Sequence, residues 1–141
     1  MIGKRPRGGL RHLLLAGLVA WAGGSCGDGG GPFEPGPPVE RPGELVVTLT
    51  SGDGAAALRF RLTGGEIGPA EAADPALTVY SHASDGALHV AVFGDLSGGD
   101  VLRFDVPDVE QLDSYAAAVV EVADAENVLI DETWFELSVR R

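Results

Sequence analysis

The stretch "ALRFRLT", Ala57 to Thr63, sends Leu58, Phe60 and Leu62 to one side of an extended backbone and Arg59 and Arg61 to the other. A helix would scatter those residues around its circumference, so the period of two commits the segment to a strand with one dry face and one wet face. The same rhythm precedes it in "ELVVTLT" (44–50), where Leu45, Val47 and Leu49 alternate with Val46, Thr48 and Thr50. It continues in "LTVYSH" (77–82), "ALHVAVF" (87–93) and "VLRFDV" (101–106), and in "SYAAAVVEV" (114–122), "NVLID" (127–131) and "TWFELSV" (133–139). Alanine at 116 to 118 favours a helix by propensity, but Val119, Val120 and Val122 are β-branched and favour a strand. Turn formers punctuate these runs: Ser51-Gly52-Asp53-Gly54, Ser84-Asp85-Gly86, Ser97-Gly98-Gly99-Asp100 and Pro107-Asp108.

About eight short strands with no amphipathic helix predict an all-β fold, a single antiparallel β-sandwich over residues 44–141. In "GPAEAADPA" (68–76) one helical turn is expected, stopped by Pro75. The inward set is Leu45, Val47, Leu49, Leu58, Phe60, Leu62, Leu88, Val90, Val92, Leu102, Phe104, Val106, Phe135, Leu137 and Val139.

Three segments resemble the cohesin-like group of bacterial β-sandwiches, which is related to carbohydrate-binding sandwich modules. They are the opening "PGELVVTLTS" (42–51), the middle "GALHVAVFGDLSGGDVLRFDVP" (86–107) and the closing "YAAAVVEVADAENVLIDETWFELSV" (115–139). The resemblance implies a sandwich of jelly-roll type. It does not carry over the family's dockerin-binding role, because "LTGGEIGP" (62–69) stands where that family has Tyr-Asp-Pro after the second strand.

Ahead of the domain the chain has a different grammar. Residues 1–12, "MIGKRPRGGLRH", are basic, and "LLLAGLVAWA" (13–22) is an apolar run of ten. Ten residues of helix rise about 15 Å, roughly half the hydrocarbon thickness of a bilayer, so this is the core of a signal peptide and not a spanning helix. Residues 1–25 are therefore expected to be an export signal. The small residues before Cys26 in "GGSC" (23–26) resemble a bacterial lipoprotein signal, which implies lipidation of Cys26 after cleavage. Ala20-Trp21-Ala22 offers a competing site for ordinary cleavage, which would leave Cys26 as a free thiol. Residues 26–43 then follow as a lipidated cysteine and a Gly- and Pro-rich spacer, "GDGGGPFEPGPPVERPG", whose 17 residues at about 3 Å each reach roughly 50 Å. The expected location is the cell envelope, with the membrane as partner through the anchor and an envelope protein or glycan as a second partner.

Charge narrows the choice of partner. Of the ten basic residues, Lys4, Arg5, Arg7 and Arg11 precede Cys26 and no acidic residue does, leaving six against 21 acidic residues, a formal −15. Nucleic acid is not an expected partner, since its phosphates demand clustered Lys and Arg. With one cysteine, neither an internal disulfide nor a Cys-pair zinc site can form.

Neither catalysis nor a cofactor is expected. Ser81 or Ser84 with His82 and Asp85 spells a triad on paper, yet no nucleophile-elbow motif surrounds them. In "GDLSGGD", Asp95, Ser97 and Asp100 space oxygen ligands as calcium loops do, while Asp and Gly equally serve a β-turn for backbone reasons. The candidate ligand face is aromatic and imidazole: Tyr80, His82, His89, Phe93 and Trp134 fall on the outward register of their strands. Either these residues meet on one surface and bind, or loops cover them.

Overall fold

Alternation places the strand Ala57–Thr63 with Leu58, Phe60 and Leu62 buried and both arginines exposed. In the computed structural model, which describes residues 36–50 and 53–141, this strand sits at the centre of a sheet. Nine strands form in chain order: β1 Gly43–Thr50, β2 Ala57–Thr63, β3 Ala70–Ala72, β4 Thr78–Ser84, β5 Ala87–Phe93, β6 Gly99–Val106, β7 Ala116–Ala123, β8 Leu129–Ile130 and β9 Glu136–Arg140. They make two antiparallel sheets, a narrow one in the order β3-β6-β1-β9 and a broad one in the order β4-β5-β2-β7-β8. The protein is an all-β sandwich.

The core lies between the sheets. Phe60, Leu58 and Leu62 of β2 and Val90 and Val92 of β5 belong to the same buried cluster as Leu45, Val47 and Leu49 of β1 and Leu102, Phe104 and Val106 of β6. The expected inward residues Leu88, Leu137 and Val139 pack on this cluster only partly buried. Leu96, Val101, Tyr115 and Val122 join it from positions that alternation alone does not assign.

Tyr115 closes one end. Its ring meets Phe104 edge-on, with centroids 5.6 Å apart, and its hydroxyl donates to the Glu66 carbonyl at 2.9 Å. Gly64 makes room for it: a Cβ there would fall 2.6 Å from the Ser114 carbonyl oxygen and 2.7 Å from the tyrosine ring. At the same end, a 3₁₀ turn over Val109–Ser114 is capped by Asp108, whose carboxylate accepts from the Glu110 N–H at 3.0 Å. The Val109 N–H donates to the Arg41 carbonyl, so the hydrogen bonding of the sandwich reaches back to Arg41, two residues before β1.

Local expectation and structure part company at three places. The segment expected to hold a helical turn instead contributes β3. The unpaired edge of β6 captures it: Ala70 and Ala72 pair with Phe104 and Leu102, and the Asp105 N–H donates to the Pro69 carbonyl at 3.0 Å. Nonlocal backbone pairing outweighs the helix propensity of two alanines, which is worth a few tenths of a kcal/mol, about 0.5. The "TWFELSV" run begins as a 3₁₀ turn, Glu132–Trp134, because the Asp131 carboxylate accepts from both the N–H and the hydroxyl of Thr133. β9 starts only at Glu136. "NVLID" is reduced to the two residues of β8, its entry held by Asp124, which accepts from the N–H groups of Glu126 and Val128. The export signal, Cys26 and the spacer up to residue 35 lie outside the described residues.

Candidate ligand-binding face

The two sheets expose unlike surfaces. On the narrow sheet, both arginines are matched to carboxylates. Arg140 on β9 grips Asp100 on β6 with contacts of 2.6 Å to both carboxylate oxygens, Thr48 on β1 donates to the same carboxylate at 2.8 Å, and Arg103 faces Glu44 at 3.9 Å. Those hydrogen bonds, the one from Arg140 first and the one from Thr48 second, hold the Asp100 carboxyl below its ordinary range.

The outer face of the broad sheet is built from rows running across its strands. One row reads Thr78, Phe93, Ala57, Ala123 and Leu129 from β4 to β8. The next is Tyr80, Ala91, Arg59 and Glu121, and the third is His82, His89, Arg61 and Ala118. Alanines make a low floor while Tyr80, Phe93 and Leu129 stand above it, exposed by 65%, 45% and 66%. Tyr80 and Phe93 touch edge to face, with centroids 6.1 Å apart and planes at 75°, so they fix each other rather than forming one flat platform.

Two shallow hollows occupy this face. Tyr80, His82, His89, Ala91, Arg59 and Val120 line one of about 230 Å³. Phe93, Ala57, Ala123, Leu129 and Arg59 line the other, of about 320 Å³. Arg59 belongs to both and is steadied by Glu121 at 3.5 Å. Val120 reaches the first hollow through a β-bulge. Arg59 pairs with Glu121 and Phe60 with Val119, which leaves Val120 as the extra residue of β7, half exposed on the outside. A bulge re-aims side chains in this way.

Four of the sequence-predicted face residues thus come together: Tyr80, His82, His89 and Phe93 share neighbouring strands on one surface. Trp134 does not join them. It sits in the 3₁₀ turn after β8, exposed by 67% and outside every row. Arg59, Arg61 and Val120 are the functional candidates that sequence reading missed. The outward position of both arginines was visible in the alternation of "ALRFRLT", but not that β2 lies beside β5; the bulge left no sequence signal.

Asp95, Ser97 and Asp100 line a hollow of about 300 Å³ at the start of β6, together with Asp74. Asp100 is turned to Arg140 and Asp74 accepts from the Ala76 N–H. Among the described residues no group of three or more His, Cys, Asp or Glu side chains is placed to hold a metal ion. The triad written on paper takes a different form in space. Ser84 donates to Asp85 at 2.9 Å, and Ser81 pairs in the row of Val90 while His82 pairs in the row of His89.

Known proteins add no parallel. No family model, curated protein or solved structure matches the chain. The face must be read from its own chemistry.

Proposed function

We propose that the chain is an exported lipoprotein, anchored through Cys26, whose sandwich is a non-catalytic module that binds envelope glycan on the outer face of the broad sheet. The observation that carries the binding reading is the contrast between the two outer surfaces. The narrow sheet matches arginine to carboxylate, whereas the broad sheet leaves an exposed tyrosine and phenylalanine, an alanine floor and unmatched nitrogen donors side by side. Exposed aromatic surface that is not needed for packing is a recognition feature, and a tyrosine ring beside donors suits the apolar face and hydroxyl rim of a sugar. The leader supports the anchor: a basic start, a short apolar core and small residues before a cysteine. The cohesin-like resemblance supports a sandwich used for binding.

A protein partner is the second reading, favoured by one observation. β4 lies at the edge of the broad sheet, and its seven residues, "TVYSHAS", carry no Asp, Glu, Lys, Arg or Pro to discourage an added strand. Binding of the purified chain to an array of bacterial envelope glycans and to extracted envelope proteins separates the two. Glycan binding that Tyr80→Ala removes supports the first reading. Binding to envelope protein that survives Tyr80→Ala supports the second.

A further inference from the structure

Across the middle of the broad sheet, His82 on β4 pairs directly with His89 on β5, and His89 pairs directly with Arg61 on β2. Strands lie about 4.8 Å apart, so two imidazoles and a guanidinium, all nitrogen-bearing groups, stand in a line of roughly 10 Å. Arg61 is the one arginine among the described residues that makes no ion pair; Arg41, Arg59, Arg103, Arg140 and Arg141 each have a carboxylate. This is odd in a chain with more than twice as many acidic as basic residues.

We infer that this line receives the anionic group of an acidic polysaccharide, with the sugar ring against Tyr80 in the adjoining hollow. The inference rests on the glycan reading above and specifies its ligand. Tyr80 and both histidines line the same hollow of about 230 Å³, which suits a ring and not a helix. An acidic peptide fits less well, because peptides added to sheets use backbone groups at an edge, and this line is on a face. The guanidinium of Arg61 supplies a permanent positive charge and a fork of donors matched to a carboxylate or sulfate. The acidic residues of the narrow sheet lie a sheet spacing or more away, about 10 Å, beyond the roughly 8 Å screening length at physiological salt.

The test is calorimetric titration of the purified chain with soluble oligogalacturonate, with neutral galactan oligomers of equal length, and with poly-glutamate. The expected result is oligogalacturonate binding at least tenfold tighter than galactan binding. It should weaken at least tenfold in Arg61→Gln, weaken in the His82→Ala/His89→Ala double variant, and vanish in Tyr80→Ala. Galactan binding that needs Tyr80 but exceeds oligogalacturonate binding would overturn the anionic line and leave the glycan reading intact. Failure of both sugars would overturn both. Poly-glutamate binding as tight as oligogalacturonate binding, and insensitive to Tyr80→Ala, would overturn the sugar in favour of an acidic protein.

Discussion

Tyr115 spends its two ends differently. The ring fills the core against Phe104 while the hydroxyl reaches the backbone carbonyl of Glu66, tying the start of β7 to the loop after β2. Removing only the hydroxyl strands that carbonyl, so Tyr115→Phe should destabilise by about 1 kcal/mol, which is roughly 4–8 °C for a domain of this size by thermal denaturation. Burial, with Glu66 and Asp108 as smaller contributors, raises the phenol pKa above its ordinary 10.0. A raised folded pKa means stability that is complete below pH 10 and is lost as pH rises through the folded value. The gap between the protein and Tyr115→Phe should therefore narrow only in strong alkali. Asp100 works in the opposite sense. Its hydrogen bonds from Arg140 and Thr48 lower its pKa from 3.8, so its contribution is present above that value and fades as pH falls through the folded one. Both partners are substantially exposed, so solvent screening limits the loss on Asp100→Asn to under about 1 kcal/mol at pH 7. Melting curves should show the difference at neutral pH and its fading below pH 3.8, as pH falls through the lowered folded value.

The strand β7 shows how an element carries information that its residues do not. Val119 packs inward opposite Phe60 and Val122 is buried opposite Leu58; an odd spacing of three puts both inside only if one residue is set aside. Val120 is that residue. Deleting Val120 would leave Val119 inward, Glu121 outward and Val122 inward, the ordinary alternation of an unbroken strand. The deletion should therefore leave the chain folded, with a cooperative melt within a few degrees of the parent, while it removes one wall of the hollow beside Tyr80 and weakens ligand binding. Deleting Val122 should instead disorder the register, because Glu121 and Ala123 would compete for its place; loss of the cooperative melt would show it. The same strand marks what the sequence yields. "ALRFRLT" and "ALHVAVF" declare themselves because each has one buried and one wet face, and alternation is a local property. The bulge did not, since a run of Val-Val-Glu-Val reads equally well with or without one. β3 did not either, for its pairing partner β6 lies some thirty residues away and its own residues prefer a helix. The face formed by Tyr80, His82, His89 and Phe93 was legible because a hairpin joins β4 to β5, whereas Arg61 became its neighbour only through the nonlocal pairing of β2 with β5.

At the scale of the whole molecule, the proposed anchor and the proposed binding face bear on each other. A module that binds a surface polymer weakly gains from being held at that surface, since tethering turns a second encounter into an intramolecular one with a high effective concentration. The Gly- and Pro-rich composition between Cys26 and β1 is that of a spacer. One acyl chain binds a bilayer only marginally, so stable residence needs the two or three chains of a lipidated N-terminal cysteine. The arrangement makes a definite prediction. The intact mass of the N-terminal peptide from native membranes should correspond to a chain beginning at Cys26 with a diacylglyceryl thioether, and Cys26→Ser should move the protein from the membrane fraction to the soluble exported fraction without changing its melting temperature. A peptide beginning at Gly23 with an unmodified thiol would mean that ordinary cleavage after Ala22 prevails. The sandwich would then meet its ligand as a free exported protein, and avidity from the membrane would have to give way to affinity in the face itself.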